Sequence, residues 1–279
     1  MTLSEAQIAQ AVALTEAYRR VEGMAADKIA AIVAAYYLQK VDPMSLASVN
    51  RWLDLMVPAL IKTSDDSARR AAAYFLGIRG IEAPGAPLYS PVIATGTVDQ
   101  GVRESLLAVG PYDYANKMKK KDDGVKRLSS KEQLIIANNL AAATLRHAQA
   151  GGRQTIFENS AKDETALAYV RVLGTSETGP CYFCVMLASR FEWRPFNEDS
   201  FRESNSRFTG AADAKVHDEC HCSLKPVYSR DDKYAKESLE AAELWGLWGV
   251  GKGKEAINNF RQGYNHWRET GSKDWKPDA

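Results

Sequence analysis

Cys181-Tyr-Phe-Cys184 and His217-Asp-Glu-Cys220-His-Cys222 contain all four cysteines of this 279-residue chain. A C-x-x-C turn directs two sulfur atoms toward one ion. The two cysteines of a C-x-C pair on extended backbone project to the same side, because side chains alternate with period two. Thiolate sulfur together with imidazole nitrogen is the donor set that tetrahedral zinc prefers. The two segments therefore predict a single zinc site.

The predicted zinc site has five candidate ligands, which are Cys181, Cys184, Cys220, Cys222 and His217. Four cysteines complete a tetrahedral site, and His217 either replaces one of them or holds a thiolate by a hydrogen bond. We expect a structural site, closed by protein ligands, that stabilises the irregular segment between the two cysteine pairs.

Two other interpretations of the cysteines remain open. In the first, they are reduced thiols packed in a small core or a pair of disulfides, although clustered cysteines in a reducing cytosol are more often metal ligands or catalytic thiols. In the second, a cysteine is a nucleophile with His217 as its base and Asp218 or Glu219 nearby. A nucleophile does not need three further cysteines, so this second interpretation is the weaker one.

The composition of the whole chain predicts a soluble protein. Hydrophobic residues make up 45% of the sequence, which is enough for a substantial core. The formal net charge is +1, so no overall field attracts nucleic acid or anionic lipid. The first residues lack the features of a signal peptide, and no apolar run reaches the roughly 18 residues of a membrane span. We expect synthesis in the cytosol and no membrane contact.

Outside the cysteine segments, the sequence predicts a mainly α-helical protein with a small α+β module. Helical periodicity predicts two helices over residues 2–40, or one helix with a weak point near Gly23. A further helix is predicted to start at Asp42 and to bend at Pro58, and a separate one to be capped by Ser64.

The middle of the chain is predicted to alternate between extended and helical backbone. Prolines favour extended backbone, serine caps helices, and alternating β-branched residues indicate a strand. The predicted elements are a connector over 80–97, a helix near 98–109, a helix over 131–149 capped by Ser129 or Ser130 and ended by Gly151-Gly152, a helix over 153–160, a strand over 168–173, a short helix over 185–190 and an extended segment over 222–228.

The C-terminal part is predicted to form two helices joined by a hinge at Gly249-Val-Gly-Lys-Gly253. Its tryptophans at 245, 248, 267 and 275 suggest that it docks onto another surface. The chain is thus divided into an N-terminal helical region (1–125), the cysteine module (126–228) and a C-terminal helical tail (229–279).

The order of motifs around the cysteines resembles that of a known family. Arg171-Val-Leu, Pro180-Cys-Tyr-Phe-Cys-Val-Met-Leu-Ala-Ser-Arg190, His217-Asp-Glu-Cys-His-Cys and Lys225-Pro-Val-Tyr are similar to the MuF-like minor head proteins of tailed bacteriophages, in particular the branch carried by phages of actinobacteria. The resemblance covers residues 130–228. His221 and Phe191 stand where that family usually has arginine and glycine, and both differences leave the metal pattern intact.

This resemblance implies a minor capsid protein that acts in head morphogenesis or in DNA packaging and delivery. Such a protein is made in the host cytoplasm and lies inside the head of the virion, near the portal. The implied partners are the portal and the capsid or scaffold proteins, with at most a weak contact with DNA. The N-terminal region and the tail lie outside the motif, and their apolar faces make them the expected interaction surfaces.

Two alternative functions accompany this expectation. Genes at this place in actinobacterial phages are often labelled capsid maturation protease, which would require Cys181, Cys184 or a serine such as Ser189 to act with His217. A small nucleic-acid-binding zinc module is the other alternative, although the balanced charge of the chain argues against it.

Overall fold

The computed structural model describes residues 2–121, 124, 126–174, 180–191, 193 and 222–276. Helices dominate these residues, and their strands form one two-stranded sheet, which confirms the predicted fold class. In chain order the elements are α1 (Glu5–Lys40), α2 (Leu46–Glu82), α3 (Asp99–Val109), α4 (Pro111–Met118), α5 (Ser130–Ala148), α6 (Ala150–Lys162), β1 (Ala168–Val172), α7 (Tyr182–Ala188), β2 (Ser223–Val227), α8 (Lys233–Trp248) and α9 (Lys254–Thr270).

Each of the first two helices is long and uninterrupted. Helix α1 is one uninterrupted helix of 36 residues that contains Gly23 and begins with a capping box of Ser4 and Gln7. Helix α2 continues for 37 residues through Pro58, whose ring is on the solvent side. The predicted separate helix with a cap at Ser64 is therefore wrong, because Ser64 is a fully buried residue inside α2.

Helices α5 and α6 pack on this pair, with α5 against α1 and α6 against α2. The predicted cap at Ser129 is confirmed, since Ser129 and Glu132 form a capping box at the start of α5. Gly151 and Gly152 do not end that helix, contrary to the prediction; they lie in the first turn of α6. A Cβ atom on Gly151 would lie 2.2 Å from the carbonyl oxygen of Ser64, so glycine is needed here for close packing of α6 on α2.

The extended connector follows α2 and lies along α6. Its backbone is held by the side chain of Asn159, whose Oδ1 accepts a hydrogen bond from Val92 N at 2.8 Å and whose Nδ2 donates to Val92 O at 2.7 Å. A second side chain of α6, Thr155, accepts a hydrogen bond from Ala94 N. Side chains of α6 thus form hydrogen bonds with the backbone of this proline-rich segment, as a neighbouring strand would.

Strands β1 and β2 pair antiparallel, with Val170 opposite Lys225, and every residue of both strands is buried. This confirms the predicted strand after residue 168 and the extended segment after Cys222. The sheet packs on α6 and α8, so it is enclosed by helices. The proposed division of the chain near residues 125 and 228 remains a prediction.

The two tail helices α8 and α9 are joined by residues 249–253, as predicted, and both pack on α7. Trp248 and Phe260 are fully buried in this contact, where they meet Val185 and Leu187 of α7 in one hydrophobic cluster. The tryptophan-rich tail therefore packs on the cysteine-bearing helix of its own chain. Among the described residues, each helix is too short or too polar to cross a bilayer.

Candidate functional site

The C-x-x-C segment forms the first turn of α7. Cys181 is the N-cap residue, and its Sγ accepts a hydrogen bond from the main-chain N–H of Cys184 at 3.3 Å. Cys184 is buried, whereas Cys181 is partly exposed. A serine or aspartate commonly accepts this hydrogen bond at a helix start. Here a sulfur atom accepts it, so the turn is already folded in the arrangement expected for a C-x-x-C ligand pair.

Cys222 lies directly before β2 and is held at two of its atoms. Its Sγ accepts a hydrogen bond from the N–H of Gly174, which follows β1, at 3.4 Å. Its carbonyl oxygen accepts a hydrogen bond from Nε of the buried Arg153 at 3.0 Å. The pairing of the two strands and one arginine of α6 together determine where this thiol lies.

Three of the five predicted ligands lie in the same region of the fold. Cys184 and Cys222 belong to one buried hydrophobic cluster, and Cys181 packs against that cluster. The other two, His217 and Cys220, lie outside the described residues. Within the described part of the chain, no group of three or more His, Cys, Asp or Glu side chains is arranged to hold a metal ion.

The chemistry of the described thiols fits a zinc site. Each of the sulfur atoms of Cys181 and Cys222 accepts a main-chain hydrogen bond, which orients the sulfur atom. Soft thiolate ligands are those that zinc prefers. The residues that would hold the ion are Cys181, Cys184, Cys222 and either Cys220 or His217, and the three described thiols do not form a metal-binding group by themselves.

The tail closes one side of this region. Tyr264 of α9 donates a hydrogen bond from its hydroxyl to the carbonyl oxygen of Pro180, next to Cys181, at 2.9 Å. Burial raises the pKa of Tyr264 to about 12, and the nearby Cys181 and Cys184 also act to raise it. Neutral Tyr264 therefore keeps its proton for this hydrogen bond throughout the physiological range.

Ser189, the serine of the alternative protease interpretation, follows α7. Its hydroxyl donates to the carbonyl oxygen of Met186 at 2.7 Å. The hydroxyl proton is therefore engaged with the backbone of its own helix. The partner that this interpretation needs, His217, lies outside the described residues.

A buried ionic cluster surrounds Lys225, in the middle of β2. Lys225 is fully buried, and its Nζ lies 2.5 Å from Oε1 of Glu82, 2.6 Å from Oδ2 of Asp232 and 3.1 Å from the carbonyl oxygen of Pro226. Burial raises the pKa of Glu82 to about 7, although Lys225 acts to lower it. The sequence analysis gave Lys225 no ion-pairing role. The feature that could have indicated one is the presence of a lysine inside an apolar strand.

A second buried ion pair adjoins the first. Nε of Arg79 lies 2.8 Å from Oδ2 of Asp163, and the hydroxyl of Tyr228 donates to the same oxygen at 3.0 Å. Burial acts to raise the pKa of Asp163, but the hydrogen bonds from Arg79 and Thr165 outweigh it and hold this pKa below its usual value. These contacts attach β2 to α2 and to the end of α6.

Comparison with protein families gives a match over most of the chain. The family of VG15 proteins, a family of viral and phage gene products, matches residues 5–245. No curated protein and no solved structure matches the chain. The match includes the long helices, the sheet, the C-x-x-C helix and most of α8. Because it covers most of the 279 residues, the chain belongs to the VG15 protein family, which suggests that it is encoded by a phage.

Proposed function

We propose that this protein is a minor capsid protein of a tailed phage, of the MuF-like kind, that lies inside the head near the portal. It would act in head assembly or in DNA packaging and delivery, through contacts with the portal and with capsid or scaffold proteins. Membership in the VG15 family supports a phage origin. The observation that carries the finer proposal is the meeting of Cys184 and Cys222, from the two remote halves of the cysteine motif, in one cluster.

We further propose that a structural zinc ion joins these two halves. Cys181, Cys184 and Cys222 would hold it, with Cys220 or His217 as the remaining ligand. A bound zinc ion would contribute directly to the free energy of folding. The main-chain N–H groups of Cys184 and Gly174 would keep the sulfur atoms of Cys181 and Cys222 in place whether or not metal is bound.

The burial of Cys184 and Cys222 supports a structural role over a catalytic one for these two thiols, whereas Cys181 is partly exposed. Cys184 and Cys222 are 4% and 2% exposed, so neither sulfur atom is open to a polypeptide substrate. A nucleophile needs access to the scissile bond and a base within hydrogen-bond distance. Helix α7 also supports the contact with both tail helices, which is typical of a scaffold element.

Metal analysis of the purified protein tests the zinc proposal. We expect about one zinc per chain, and we expect Cys184→Ser to lose both the metal and thermal stability. Leu187→Ala is the matched control, because Leu187 is a buried residue of the same short helix that carries no ligand atom. The control should be less stable yet keep its zinc. A metal-free wild-type protein with an unchanged melting temperature after chelation would contradict the proposal.

Mass spectrometry of purified virions and procapsids tests the proposed location. We expect the protein in both particles, at a low copy number, and co-purification with the portal protein after co-expression. Its presence in the infected lysate but absence from both particles would contradict the head role.

Co-expression with the capsid protein tests the enzyme alternative, and capsid cleavage that is lost in His217→Ala would overturn a non-enzymatic function.

A further inference from the structure

A cleft of about 340 Å³ opens between α1, the end of β1, α7 and the two tail helices. Its volume lies at the lower end of the range of sites that bind small ligands. Five of its lining residues form an apolar floor: Leu173, Val185, Ala241, Leu244 and Trp267. The cleft does not include the buried thiols or the ionic cluster around Lys225.

Several uncharged polar groups on the walls of the cleft already have partners. The carbonyl oxygen of Leu173 accepts a hydrogen bond from Nη2 of Arg19 at 2.7 Å, and the carbonyl oxygen of Pro180 accepts one from Tyr264. The hydroxyl of Tyr234 donates to Glu16 at 2.8 Å. A ligand in the cleft would therefore meet apolar surface below and the charged groups of the rim above.

Among the described lining residues, the rim carries one more carboxylate than basic groups. Glu16 is paired with Arg19 at 2.9 Å, and Glu237 has a looser ion pair with Lys233 at 3.6 Å. Glu240 forms no hydrogen bond or ion pair with any residue of the described structure. Burial raises the pKa of Glu237, and the neighbouring Glu240 adds to this effect although Lys233 opposes it. A cation at this part of the rim would thus relieve repulsion between carboxylates.

We propose that this cleft binds a peptide segment of a partner protein that presents an apolar side chain next to a lysine or arginine. The apolar side chain would bury itself against Leu244 and Trp267, and the basic group would reach the carboxylates of Glu237 and Glu240. Charge complementarity selects the basic residue, and the apolar floor supplies the binding energy. This inference goes beyond the proposed head role, and it does not depend on zinc.

Fluorescence anisotropy of dye-labelled pentapeptides tests the proposal on the full-length protein. The probes are Ala-Leu-Arg-Leu-Ala, Ala-Leu-Gln-Leu-Ala and Ala-Leu-Glu-Leu-Ala, each with blocked ends. We expect the arginine peptide to bind at least about fivefold more tightly than the glutamate peptide at low salt, with the difference shrinking as salt is added. Equal binding of all three, or no binding at all, would overturn the proposal.

A pair of charge-reversal variants localises the binding. Glu240→Lys should weaken binding of the arginine peptide by about threefold to tenfold. Glu243→Lys is the matched control, because Glu243 is an exposed residue of the same helix that does not line the cleft. Both residues are on the surface, so both variants should fold normally. Equal weakening by the two variants, or none by Glu240→Lys, would place the peptide elsewhere and overturn the assignment.

Discussion

Nζ of Lys225 lies 2.6 Å from Oδ2 of Asp232, and both side chains are buried. Asp232 is also the N-cap of α8, where its other carboxylate oxygen accepts a hydrogen bond from Ala235 N at 2.8 Å. Glu82 at the end of α2 completes the cluster. One lysine of β2 thus joins the last turn of the second long helix to the first turn of the tail.

Replacing Lys225 should be strongly destabilising. Lys225→Met keeps the apolar stem but leaves Glu82 and Asp232 buried with no cation between them, which typically costs about 3 to 5 kcal/mol. Chemical denaturation followed by circular dichroism measures the loss. Lys233→Met is the control, because Lys233 is exposed at the start of α8 and should change stability by less than about 1 kcal/mol. Equal effects of the two variants would contradict the importance of the cluster.

Glu82 should make the protein less stable as the pH rises toward neutrality. Its pKa is raised from 4.5 to about 7 in the folded protein, so the folded state binds more protons than the unfolded state between these values. This stability is fully present below pH 4.5 and is lost as the pH rises through about 7. Glu82→Gln should remove this slope, which unfolding curves at several pH values measure.

His147 should act in the opposite direction. Burial is the main cause that lowers its pKa from 6.5 to about 3, and Arg146 adds to it, so the folded state keeps the imidazole neutral. The stability from His147 is present above pH 6.5 and is lost as the pH falls toward 3. His147→Asn should weaken the acid sensitivity of the unfolding free energy. If the unfolding free energy of this variant fell at acid pH as steeply as that of the wild type, the assignment would be contradicted.

Close helix packing at Gly151 should make even alanine harmful. A Cβ there would lie 2.2 Å from the carbonyl oxygen of Ser64, which is backbone and cannot rotate away, so Gly151→Ala should cost about 1 to 3 kcal/mol. Gly23→Ala in α1 is the matched control. No atom lies within 4 Å of its added Cβ, and its higher helix propensity should stabilise the protein by about 1 kcal/mol. Thermal unfolding of both variants measures whether the two changes in stability have opposite signs.

Some local sequence patterns predicted the secondary structure of this chain correctly, and others did not. The cap at Ser129, the strand beginning at Ala168 and the two tail helices were predictable, because capping chemistry, β-branched alternation and helical periodicity act over a few residues. Ser64 and Gly151 were misassigned. Each has the chemistry of a helix boundary, yet both serve the close contact between α2 and α6.

The kinds of ligand atom in the candidate site could be predicted from the sequence, whereas its geometry could be predicted only in part. The C-x-x-C spacing predicted the turn in which Cys184 N–H donates to the sulfur of Cys181, since that hydrogen bond is local. The support of Cys222 by Arg153 and Gly174 was not predictable, because these residues are distant in sequence. Zinc binding itself remains a prediction.

The sequence by itself determined the helical class, the two extended segments that form the strands and the two tail helices, because these depend on periodicity and side-chain chemistry. Only the tertiary structure decided that the tryptophan-rich tail covers α7 and that Lys225 is neutralised by Glu82 and Asp232. The physical reason is that burial and charge pairing depend on contacts between residues distant in sequence. Only the packing of helices and strands against one another brings such residues together.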